Sequence, residues 1–106
     1  MAWFVKLEQG LVDRDHFDRH LQDHLDWVAD LARRGHQPSS GYWRDRKGMN
    51  GAGAGGMLLF QAYDWQEAEE IVRGDPLIRS GCVSWVLHEW RVVAGAIPAG
   101  SPAPAP

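Results

Sequence analysis

The residues of this chain best suited to moving protons or holding a metal are its five histidines and its single cysteine, Cys82. His16, His20 and His24 are spaced four and four, which on a helix places neighbours on one side and invites a metal reading. At about 100° per residue the apolar stripe of this segment centres near Leu21 and Val28, and His24 falls roughly 50° from that centre. By the same period His20 falls roughly 90° away and His16 roughly 130°. His24 therefore borders the buried face and His16 points to water. A metal held by all three would sit on the solvent side with no acids or cysteines beside it, so no metal site is expected. His36 falls in a loop after the helix. His88 lies on the last strand, on the face that carries Ser84, Val86 and Trp90; if that face lines a cavity, His88 and Ser84 are ligand contacts.

A carboxylate of interest stands in Asp75-Pro76-Leu77-Ile78-Arg79-Ser80-Gly81. Proline after an acid suits the first turn of a short helix, with Asp75 as its N-cap and Gly81 as its stop. Asp75 can simply accept backbone N–H groups, or it can also face a histidine from elsewhere in the chain. The residues of the turn do not choose which histidine.

Those side chains need elements to position them. Ala2–Glu8 reads as a strand in which Trp3, Val5 and Leu7 alternate with Ala2, Phe4 and Lys6, broken by Gly10. Residues 13–34 read as a helix with Phe17, Leu21, Leu25, Val28 and Ala32 on one stripe, stopped at Gly35. Tyr42-Trp43-Arg44 reads as a short second strand. The stretch Lys47–Gly56 is glycine-rich and contains Gly51-x-Gly53-x-x-Gly56. It is read as a hairpin loop, because a dinucleotide fingerprint must open a helix and this one leads into a strand. Met57–Tyr63 is that strand. Asp64 caps a helix running to about Gly74, with Glu67 completing the cap, and Cys82–Val93 is the last strand. The expected domain spans residues 1–93. Residues 94–106, rich in Ala, Gly and Pro, are expected to be a disordered tail.

The order strand, helix, strand, strand, helix, strand fits a ferredoxin-like α+β sandwich. Its helices cover one sheet face, yet the last strand places Val83, Trp85 and Leu87 on one side and Val86, Trp90 and Val92 on the other. The uncovered face predicts a homodimer, sheet against sheet. With 106 residues and a formal charge of −3, the chain is a single domain without a nucleic-acid footprint. No run is long enough to cross a bilayer and no secretory pattern opens the chain. One cysteine forbids an internal disulfide. A cytoplasmic protein without membrane or nucleic-acid partners is expected.

The runs His24-Leu25-Asp26-Trp27-Val28-Ala29-Asp30-Leu31-Ala32-Arg33-Arg34-Gly35 and Ala68-Glu69-Glu70-Ile71-Val72-Arg73-Gly74-Asp75-Pro76-Leu77 resemble the YCII-related (YciI-like) proteins. So does Gly81 followed by a Val- and Trp-bearing strand; the likeness covers residues 2 to about 93. This resemblance implies a dimeric α+β barrel and a His–Asp pair in a pocket, carried over onto His24 and Asp75. It also implies kinship with a dechlorinase of a chlorinated hydroxyhydroquinone, with muconolactone isomerases and, more distantly, with haem-dependent enzymes. The chain departs from the family where a Gly-Pro followed by an acid is usual, having Ser40-Gly41-Tyr42-Trp43-Arg44-Asp45 instead.

A His–Asp pair fixes the imidazole tautomer and stabilises the imidazolium once a proton is taken. His24 as general base suits isomerisation or elimination on a small cyclic or aromatic substrate. Trp43, Tyr42, Arg44, Ser84 and His88 are the expected substrate contacts, with Arg46 and Arg79 as further cations for an anionic substrate. Neither cofactor nor metal is expected. The alternative is a non-catalytic small-molecule-binding or accessory protein built on the same barrel.

Overall fold

Strand alternation decides which side chains meet the helices. In the computed structural model, which describes residues 1–45 and 55–97, β1 (Ala2–Gly10) buries Phe4, Lys6 and Gly10, while Trp3, Val5 and Leu7 take the other face. The remaining elements follow as α1 (Arg14–Arg33), β2 (Ser39–Tyr42), β3 (Gly56–Ala62), α2 (Trp65–Arg73), α3 (Pro76–Arg79) and β4 (Val83–Trp90). The sheet order is β2-β3-β1-β4 with every neighbouring pair antiparallel. This is the expected ferredoxin-like α+β sandwich, with α3 as an added turn between the second helix and the last strand.

The register aligns the buried face across the sheet. Phe4 pairs with Phe60 on one side and Glu89 on the other, and Lys6 with Leu58 and Leu87. Phe4, Leu58, Phe60 and Leu87 meet Leu31 of α1 and Ala68, Ile71 and Val72 of α2 in the main core. The Phe4 and Phe60 rings stack with centroids 5.9 Å apart. A second, smaller cluster of Leu77, Cys82 and Val83 packs beside Phe17 and Ile78, where α3 meets the start of α1.

Caps account for the helix ends. Asp13 accepts from the His16 N–H at 2.8 Å and Asp64 from the Glu67 N–H at 2.8 Å, each satisfying an orphan donor of the first turn. Gly35 follows α1 at φ 87° and Gly81 follows α3 at φ 74°, left-handed positions that glycine takes without strain. The strand boundaries differ from expectation. β1 continues to Gly10, because Gly10 remains paired with Val83. β4 begins at Val83 and ends at Trp90. β2 falls on Ser39–Tyr42 rather than on Tyr42-Trp43-Arg44, since β3 opposes it from Gly56 to Leu59.

The inner face of α1 also differs. His24 and Leu31 are its buried residues, whereas Leu21 and Leu25 are exposed. His16 and His20 are half-buried, not turned to water. Hydrophobicity alone centres the stripe too close to Leu21, since it gives His24 no weight as an inward residue, although buried partners draw it in. Gly56, expected as the last residue of the glycine-rich loop, opens β3 instead, and the strand runs Gly56–Ala62 where Met57–Tyr63 was expected; residues 46–54 and 98–106, holding most of that loop, Arg46 and most of the expected tail, lie outside the described residues.

Candidate functional site

Asp75 is fully buried at the junction of α2 and α3. Its side chain accepts the Leu77 N–H at 3.0 Å as the N-cap of α3, so the capping role is real. The same carboxylate does more. Oδ1 lies 2.8 Å from His24 Nδ1 and Oδ2 lies 2.6 Å from Lys6 Nζ. The structure thus brings together the two residues of the expected pair from α1 and α3, and adds a lysine from β1.

Burial on its own would raise the Asp75 carboxyl; the hydrogen bond from His24 and the charge of Lys6 outweigh it and hold it below the ordinary value of 3.8. Asp75 is therefore a carboxylate, which can only accept. His24 Nδ1 must then carry the proton and donate it, leaving the Nε2 lone pair free. Nε2 faces the Ser40 hydroxyl at 3.1 Å, which donates to it while the imidazole is neutral. His24 is 4% exposed and Ser40 is exposed on β2, so the basic nitrogen stands one hydroxyl away from solvent.

Lys6 also makes an ion pair with Glu8 at 2.9 Å, with the lysine side chain 1% and the glutamate side chain 9% exposed. Counting formal charges, Glu8, Asp75 and Lys6 sum to −1 beside a neutral His24, and to zero once His24 takes a proton. The Trp27 indole, one turn on from His24, lies 5.8 Å from the imidazole at 34° and walls one side. Gly74 lies against it: a Cβ there would stand at ordinary contact distance, 3.4 Å, from Trp27 Nε1.

The other expected site residues are not gathered with the pair. Tyr42 shares the β2 face of Ser40, two residues on, at the exposed end of the strand. Trp43 and Arg44 follow it and are exposed. Ser84 and His88 stand on the helix-free face, opposite Gln9 and Val5, so the sheet lies between them and His24. His36 is buried, its Nδ1 donating to the Gln61 carbonyl at 2.8 Å while Gln61 N–H donates to the His36 carbonyl at 2.7 Å; it fastens the end of α1 to β3. A surface depression lined by Trp3, Trp90 and Ile97 includes none of the residues around Asp75.

Lys6 and Ser40 were missed by reading the sequence. For Lys6 the signal was present: alternation places it on the Phe4 face, and a lysine on a helix-covered face needs a carboxylate. For Ser40 it was absent, since the second strand was centred beyond it.

Fold and site together define a ferredoxin-like α+β protein with an imidazole, a carboxylate and an ammonium clustered between sheet and helices. The model of the YCII-related domain matches residues 2–91, and the chain belongs to that family. Among solved structures it is similar to the 5-chloro-2-hydroxyhydroquinone dehydrochlorinase of Burkholderia phenoliruptrix AC1100, determined in complex with 2,5-dihydroxybenzoquinone. The TM-score is 0.56 and the identity 17%, over 84% of this chain and 93% of that one. At that identity the likeness is one of fold. No curated protein matches the chain.

Proposed function

We propose that this protein is an acid–base enzyme that isomerises, or eliminates a leaving group from, a small cyclic or aromatic substrate, with His24 as its base and Asp75 as the residue that orients it. One observation carries the proposal: the buried Asp75 carboxylate accepts the hydrogen bond from Nδ1–H at 2.8 Å and leaves Nε2 facing the open side at Ser40. Nε2 removes a proton from the substrate, by displacing the Ser40 hydroxyl or through it. The electron pair left behind moves into the ring. It then expels a leaving anion, or is reprotonated at another carbon by the same imidazolium. Lys6 balances Asp75 throughout.

The family and the dehydrochlorinase neighbour, whose complex holds a hydroxylated quinone, support a small hydroxylated ring as substrate. Tyr42 and Trp43 offer stacking surfaces and Arg44 a cation at the β2 end of the site, and these are the proposed substrate contacts on that side. Ser84 and His88, behind the sheet, are retained as contacts only for a ligand held between two copies of the chain. Membership of the family and the apolar outer sheet face support a homodimer, and the single buried cysteine suits a cytoplasmic protein. No helix among the described residues is long and apolar enough to cross a membrane.

The test is an NMR titration of the imidazole signals in wild type and Asp75→Asn, paired with turnover assays of His24→Ala on hydroxylated and halogenated cyclic substrates. Coupling of the His24 signal to the Asp75 charge, with turnover lost in His24→Ala, is expected. If His24→Ala turns over a true substrate at the wild-type rate, the acid–base reading is wrong. A ligand that is bound but never converted points to the binding protein instead.

A further inference from the structure

His16, His20 and Cys82 converge outside the acid–base site. One ring nitrogen of each histidine and the cysteine Sγ all lie within 4.8 Å of one another. His16 and His20 occupy adjacent turns near the start of α1, their rings 5.7 Å apart, and Cys82 follows the turn that ends α3. α3 lies along α1 in the opposite sense. Asp75 at its start meets His24, and Cys82 past its end meets His16 and His20. From the sequence, a metal held by His16, His20 and His24 sits on the solvent side with no acids or cysteines beside it. The fold removes His24 from the group and supplies Cys82.

We propose that His16, His20 and Cys82 bind a borderline divalent transition ion, zinc foremost, with a fourth position open to water. Two imidazoles and a thiolate form a nitrogen–sulfur set with no oxygen donor, which suits zinc and its neighbours and not magnesium or calcium. Bonds of about 2.0 Å to nitrogen and 2.3 Å to sulfur put tetrahedral ligand atoms roughly 3.3–3.6 Å apart. The three atoms must therefore draw in by about an ångström, a change within reach of side-chain torsions.

Both sides of the site are already held. The His16 N–H is tied to the Asp13 cap, and the Cys82 carbonyl accepts the Leu11 N–H at 2.8 Å. Ser80 Oγ lies 3.1 Å from Cys82 Sγ and 3.3 Å from the Leu77 carbonyl. Its one hydrogen can serve either acceptor, and a metal-bound thiolate draws it to sulfur, an outer-shell bond of the kind that orients metal ligands. Cys82 is buried while both histidines are half-buried, so the ion enters past the imidazoles. Binding converts the thiol to a thiolate and releases one proton to solvent. The bound ion clamps the start of α1 to the chain leaving α3, one helical turn from His24, and none of its ligands takes part in the acid–base scheme.

The untagged full chain should be titrated with cobalt(II), following the thiolate-to-cobalt charge-transfer band, and then with zinc(II) as competitor. One cobalt per chain is expected, with a band that zinc abolishes. Cys82→Ser should remove the band, and His16→Gln with His20→Gln should abolish stoichiometric binding. Ser80→Ala should weaken binding by roughly 10- to 100-fold. Since Cys82 is in the core, the histidine variants, at half-exposed positions, keep the test valid should Cys82→Ser fail to fold. Absence of a thiolate band in wild type, or a band unchanged by the double histidine substitution, overturns the proposal.

Discussion

Lys6 changes what the His24–Asp75 pair has to withstand. A buried carboxylate held by an imidazole alone would be uncompensated whenever the imidazole is neutral; with Nζ at 2.6 Å it is paired in both protonation states. Removing one partner of a buried ion pair costs about 3–5 kcal/mol, and Lys6→Met should lose stability on that scale in urea unfolding. A loss within a few tenths of a kcal/mol would mean the pair carries no such weight. The pH dependence has a definite sign. Asp75 is held below its ordinary value of 3.8, so its ionisation contributes stability in full above that pH, and the contribution disappears as pH falls through the lower folded value. The stability gap between wild type and Asp75→Asn should therefore close as pH falls below about 4. A gap that stays open well below that pH contradicts this assignment.

At the level of elements, the site depends on where β2 lies, because β2 supplies Ser40. Gly56, paired with Tyr42, lies tight against β2: a Cβ there would stand 2.1 Å from the Gly41 carbonyl oxygen. Backbone cannot swing aside as a side chain can. Gly56→Ala should cost about 1–3 kcal/mol or more as overpacking and shift Ser40 away from Nε2. The expected result is a lowered unfolding midpoint together with a lowered turnover. An alanine variant of wild-type stability would show that β2 is not pinned there. The elements also mark how far the sequence could be read. Periodicity showed the first helix and three of the four strands, and the caps at Asp64 and Asp75 showed the second helix and the short turn, since each caps its helix through local contacts. The inner face of α1 was not legible by hydrophobicity, because its buried residue facing Asp75 is polar and Leu21 and Leu25 face outward. The His16–His20–Cys82 convergence was hidden for another reason: it joins two ends of the chain that only the α1–α3 packing brings together.

For the whole molecule the outer sheet face is the feature that no element among the described residues covers. Trp3, Val5 and Leu7 of β1, Met57 and Leu59 of β3, and Val86 and Trp90 of β4 share it, with Val86 52% and Trp90 45% exposed. Solitary exposed apolar residues are ordinary, but these lie side by side on three adjacent strands, the arrangement that marks an interaction surface. A second copy of the chain is the occupant that needs no further component. It presents the same apolar face, and a two-fold contact makes that face complementary to itself. Val86 sits at the middle of the patch, opposite Leu7 in the register, and its side chain is remote from the core beneath the helices. Val86→Asp should therefore convert a dimer into a monomer in sedimentation velocity while leaving the far-ultraviolet circular dichroism unchanged, since the charge enters the interface and not the fold. A wild-type chain that sediments as a monomer at every accessible concentration would defeat the pairing. It would leave the patch to a different partner and the acid–base cluster intact, because His24, Asp75 and Lys6 all lie on the helix side of the sheet.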